Sequence, residues 1–188
     1  MKPKPSKVDN KKKKKSLFDF KWVGIITILA FLISLAFSVV SQAIIPNAHV
    51  IVSLIVVLVI ILIGILFDMI GMAVQVADVK VFNAMAAKKV KGAKMALLMI
   101  KNAPKLSTIC NDVIGDICGI ISGSGGAAIA AILVVELGVD AIIPSLIISS
   151  VIAALTIGGK AFGKGVSAAK ANLIVEIFAK ILSVFSKQ

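Results

Sequence analysis

The chain has 188 residues, 59% of them hydrophobic, with a mean hydropathy of +1.06 and a formal net charge of +12. That apolar content excludes an ordinary soluble domain and points to an integral membrane protein. All 21 basic residues are lysine, so the bidentate arginine chemistry that dominates phosphate and base recognition is missing, and nucleic acid is not an expected partner.

Residues 1–21, "MKPKPSKVDNKKKKKSLFDFK", carry nine lysines and two prolines among few apolar side chains. They cannot bury a core and read as a disordered arm that meets anionic lipid. The apolar run Trp22 to Ile45 is too long for a signal-peptide core and lacks a small-residue cleavage site. It is expected to remain as an N-terminal transmembrane helix, with Trp22 at the interface. After the turn at Pro46 and Asn47, where His49 reads as a turn residue, a second span runs from Val50 to Val76.

Between residues 78 and 105 the pattern changes, with seven lysines alternating with Ala, Met, Leu and Val at helical spacing and with Gly92 and Pro104 as punctuation. This predicts a cytoplasmic helical hairpin, Val79 to Val90 and Ala93 to Asn102. A third span is expected over Ser107 to Val135 and a fourth over Ala141 to Ile157, joined by the acidic turn "ELGVD". Residues 165–188 read as a juxtamembrane amphipathic helix. Its polar face would be Asn172, Glu176, Lys180, Ser183 and Lys187, and its apolar face Ile174, Phe178, Ile181, Leu182 and Phe185.

The fold class expected is therefore all-α, a four-helix integral membrane bundle with a hairpin and a surface helix. With four spans, all 21 lysines fall on one side, which the positive-inside rule makes cytoplasmic. This predicts a multi-pass protein of a bacterial-type inner membrane with both termini inside.

The third span contains "NDVIGDICGIISGSGG", which is rich in glycine and carries two aspartates. On an α-helix, Asp112, Gly115, Asp116, Gly119 and Gly123 share an arc of about 100°. Small residues at this spacing let a second helix approach closely, which makes Gly115, Gly119 and Gly123 candidate helix-packing residues and implies a homodimer. Carboxylates at such depth need protein, water or a cation. Asp68 on the second span and Lys160 at the inner end of the fourth lie at a comparable level. Two accounts remain open. Asp68, Asp112 and Asp116 could be oxygen ligands of a hard divalent cation, or Lys160 could supply the positive charge as a buried ion pair that fixes helix packing.

Catalysis is not expected. There is a single histidine, no H-E-x-x-H, and no phosphate loop after a strand. The two cysteines, Cys110 and Cys118, are eight residues apart on one helix, too far to pair, and read as packing residues.

The segments "GILFDMIGMAVQVAD", "KGAKMALLMIKNAPKLSTI", "STICNDVIGDICGIISG" and "IGGKAFGKGVSAAKANLIVEIFAKIL" occur in an order that resembles the transmembrane domain of the CNNM/CorC (CorB) magnesium and cobalt transporter family. The resemblance spans roughly residues 55 to 185, within an expected domain over 50–160. It implies a homodimeric domain that transports a divalent cation, with Mg2+ as transported or bound ion and no other cofactor. Where that family has G-E-x-x-P-K, this chain has Lys160 in place of the glutamate, Gly163 in place of the proline, and Lys164 at the final position. The implied function is divalent-cation transport or a degenerate form that has lost it. The alternative is a non-transporting structural or regulatory scaffold that partners a full-length relative.

Overall fold

The computed structural model describes residues 20–44, 49–138 and 142–185. Most of the expected lysine-rich arm, residues 45–48 and 139–141 between paired spans, and the last three residues lie outside these. Among the described residues every regular element is helical: α1 Phe20–Ile44, α2 Val50–Val76, α3 Val79–Ala87, α4 Ala93–Lys101 and α5 Ala103–Ser107 come first. A π-helical segment Thr108–Gly115 then leads into α6 Asp116–Leu137, followed by α7 Ile142–Ala169 and α8 Ala171–Phe185.

Among the described residues, four helical stretches are long and apolar enough to cross a membrane: Phe20–Val39, Val50–Val76, Ala103–Glu136 and Ile142–Ala169. The chain is thus a multi-pass helical membrane protein by length and composition. Its outer surface agrees with a lipid solvent, since Leu54, Leu62, Ile120, Ile143 and Leu146 are all exposed. In water, each would forgo its burial free energy.

Helix α2 is the hub and packs on α6, α7, the π-helical segment and α8. Val57 and Ile61 of α2 meet Ile129 of α6 and Ile152 of α7 in one buried cluster. Helix α1 joins through a single stripe, Ile26, Ala30, Ile33 and Phe37, set against Val113, Ile117 and Ile121. That i, i+4, i+7 spacing is one helix face, while Ile25, Ile28, Phe31, Leu32 and Leu35 on the other side are exposed. Near its start, the Lys105 ammonium lies 4.7 Å from the centroid of the Trp22 ring. His49 caps α2, its Nδ1 accepting from the Ile51 amide at 3.5 Å.

At the end of α2 the short helices gather. Phe82 of α3, Ala96 and Met99 of α4, and Ala171, Val175 and Ala179 of α8 bury one another around Ala73 and Val74. Asp78 caps α3, its Oδ1 accepting from the Lys80 amide at 2.8 Å. Its own amide donates to Asn172 Oδ1 at 2.9 Å, which ties the start of α3 to α8.

Three of the boundaries that differ from the sequence pattern have a clear structural cause. Helix α3 stops at Ala87 because Lys89 and Gly92 adopt left-handed backbone conformations, φ 54° and 84°, and turn the chain. Helix α7 continues twelve residues past Ile157 to Ala169, through four glycines. Helical glycine is unfavourable by about 1 kcal/mol relative to alanine, but here Gly159 and Gly163 face Ile65 and Met69 of α2 so closely that a side chain would collide. Tertiary packing overrides propensity. Residues 165–169, expected to open the amphipathic helix, therefore belong to α7, and α8 starts only after a bend at Lys170.

Candidate functional site

The third span is not a uniform α-helix. From Thr108 to Gly115 it follows a π-helix, whose wider turn advances each residue by less than the α-helical 100°. Asp112 lies inside the widened segment, whereas Asp116 opens the regular helix α6. The two aspartates therefore do not keep the relative rotation that an α-helical wheel assigns.

Asp116 pairs with Lys160 of α7, Nζ to Oδ1 at 3.0 Å. The lysine side chain is 18% exposed and the carboxylate 65%. One turn further along α7, Lys164 Nζ stands 3.7 Å from Oδ2 of Asp68 on α2. Here the carboxylate is the sheltered partner, 4% exposed against 52% for the lysine. That distance is an ion pair without a hydrogen bond, and Oδ2 of Asp68 is buried with no donor. Gly115 lies between the two pairs: a Cβ there would stand 3.4 Å from Asp68 Oδ1 and 3.6 Å from Lys160 Nζ. Two ammonium groups from one helix thus meet two carboxylates from two others, and the cluster is formally neutral.

Asp112 is exposed and has no ion-pair or hydrogen-bond partner among the described residues. Among them, no three His, Cys, Asp or Glu side chains gather as an ion site. The three expected ligands Asp68, Asp112 and Asp116 are thus not brought to one point. The π-helical turn displaces the first aspartate of the third span, and ammonium groups face the other two carboxylates.

On the other flank of the π-helical segment lies a polar group that composition does not reveal. The Gln75 amide of α2 and the Asn111 amide both donate to Ser107 Oγ, the latter at 3.2 Å. Asn111 Oδ1 is buried without a donor and fills the space beside Gly71, where any Cβ would overlap it. Thr108 and Asp112 complete a cleft of about 470 Å3 next to these amides.

The glycine seam is used unevenly. Gly115 is closely approached, a Cβ on Gly119 would meet only Thr156, at 3.8 Å, and Gly123 has open space beside it. Within one chain the tight α2–α6 approach lies elsewhere, at Gly64, where a Cβ would be 2.8 Å from Cys118 Cβ. Cys110 and Cys118 are free and buried, as packing residues would be.

Lys164 is the residue that sequence reasoning left out of the site. Its spacing of four from Lys160 was a usable signal only if the fourth span was allowed to continue past Ile157. The four long apolar helices and this charged cluster define the class, a multi-pass all-helical membrane protein with ion pairs bridging its helices. Compared with protein-family models, curated proteins and solved structures, the chain matches none.

Proposed function

We propose that this chain is a membrane domain related to divalent-cation (Mg2+/Co2+) transporters of the CorB/CorC type in which the chain's own ammonium groups hold the carboxylates. It then acts as a structural or regulatory membrane partner rather than conducting alone. The observation that carries the reading is the pairing of Lys160 with Asp116 at 3.0 Å, repeated one turn on by Lys164 and Asp68. A cation entering between these groups would have to displace a tethered ammonium, which is already at high effective concentration. The kinship with that family rests on the segment order described above, in which Lys160 takes the place of a ligand glutamate.

A second copy of the chain fits this reading. Asp116, Ile120, Gly123, Ser124, Ala127 and Ala131 form an exposed stripe along α6. In lipid an exposed carboxylate is costly, and a partner helix packed on the small residues would shelter it. The lysine count supports a reading with the hairpin and both termini on the cytoplasmic side, and the resemblance to CorB/CorC supports a bacterial-type inner membrane.

Cation handling by the unaltered chain is the second reading, favoured by the buried Asp68 Oδ2 that lacks a donor. The test is thermal unfolding of the full chain and of Lys160→Glu with and without millimolar Mg2+ or Co2+. The expected result is no shift in the native chain and a raised midpoint in the variant, whose new carboxylate completes an oxygen-rich site. A shift in the native chain would favour the second reading. If neither protein responds, the CorB/CorC kinship falls and only the scaffold remains.

A further inference from the structure

Lys88, Lys89, Lys91 and Lys94 crowd the turn between α3 and α4 and the start of α4. All four are exposed, and none is paired with an acidic side chain among the described residues. This turn presses on α8, since a Cβ on Gly92 would lie 3.1 Å from the Lys180 amide nitrogen. Between them opens a cleft of about 490 Å3, lined by Lys89, Lys91, Lys94, Met95 and Ser183. Glu176, the acidic side chain of α8, is engaged by Lys180 at 2.7 Å, so the cleft's own lysines stay uncompensated.

Helix α8 has three faces rather than the two expected. Ala171, Val175 and Ala179 are packed inward, while Asn172, Glu176, Lys180 and Ser183 form a polar stripe beside them. Beyond that stripe, Leu173, Ile177, Ile181 and Val184 form a second apolar face, each at least half exposed. At 100° per residue this face adjoins the edge that carries Lys180, so the basic cleft and the aliphatic stripe are neighbours. An uncompensated cationic pocket beside exposed aliphatic surface is complementary to one molecule that combines a phosphate with hydrocarbon.

We propose that the cleft between the hairpin turn and α8 is a headgroup site for an anionic phospholipid. Lys89, Lys91 and Lys94 hold the phosphodiester, and the acyl chains lie along Leu173, Ile177, Ile181 and Val184. The site is independent of the α2, α6 and α7 ion pairs and stands whichever reading of those is correct.

The test uses the full chain in neutral detergent, with phosphatidylglycerol, phosphatidylcholine or inorganic phosphate added. The readouts are the unfolding midpoint and the lipids retained in native mass spectrometry. Phosphatidylglycerol alone is expected to raise the midpoint and remain bound. The triple change Lys89→Gln, Lys91→Gln, Lys94→Gln should abolish both effects, and the same three positions as arginine should restore them. Ile177→Ser with Val184→Ser should weaken retention at least several-fold, whereas glutamine at Lys11 to Lys15 of the arm should change neither readout. The proposal is overturned if the glutamine triple keeps the wild-type response, or if the arm variant loses it. Equal stabilisation by phosphatidylcholine, or by inorganic phosphate alone, would overturn it too.

Discussion

Asp116 and Lys160 occupy unequal surroundings, and the inequality makes a prediction. The ammonium is largely sheltered while the carboxylate is largely exposed. Removing the acid leaves an unpaired charge inside the protein; removing the base leaves one at its surface. Asp116→Asn and Lys160→Met should each therefore destabilise the protein by about 1–3 kcal/mol, the first by stranding a sheltered ammonium and the second by stranding a carboxylate on a lipid-facing surface. The double variant should recover most of the loss, a non-additivity measurable by unfolding of all four proteins under one condition. Additive losses would remove the pair from any stabilising role. That Asp116 and Lys160 each need a partner was legible in the sequence because ionisable groups in apolar runs demand one. That Asp68 is paired with Lys164 was not, because the partner lay beyond the expected end of the fourth span.

The elements show where periodicity suffices and where it fails. Helix α2 begins and ends where its apolar run does, and α4 differs from the expected bounds by one residue at its end. Long apolar segments are clear because burial in lipid tolerates little interruption. The π-helical turn was invisible, since no composition rule marks a one-residue widening of a helical ladder, and it decides which aspartate meets a lysine. Close helix approach within one chain is uneven: of Gly115, Gly119 and Gly123 it is Gly115 that is closely approached, and α2 touches α6 most tightly at its own Gly64. Gly64→Ala puts a methyl against Cys118 Cβ, which cannot swing aside as a long side chain could. A loss of about 1–3 kcal/mol is expected in an unfolding titration. Gly123→Leu should leave that stability nearly unchanged, because the space beside it is open, and under the proposed dimer it should weaken self-association in a cross-linking assay.

For the whole molecule, the gathering of α3, α4 and α8 at one end of α2 turns a charge count into a testable orientation. Both native cysteines are buried, so a thiol added by Lys91→Cys in the exposed turn can be labelled over low background. A membrane-impermeant maleimide should modify it in permeabilised cells and not in intact ones. Labelling of intact cells would invert the topology.

The sequence by itself determined the solvent of this protein, the number of apolar helices and the presence of charges needing compensation, because hydropathy and helical period are local properties. Only the tertiary structure decided which lysine faces which carboxylate, how far α7 runs through its glycines, and that α8 carries an additional exposed apolar face. Those outcomes depend on distances between segments tens of residues apart. A helical ladder can absorb a π-turn, or a run of glycines, when the neighbouring helix supplies the packing that makes the distortion favourable.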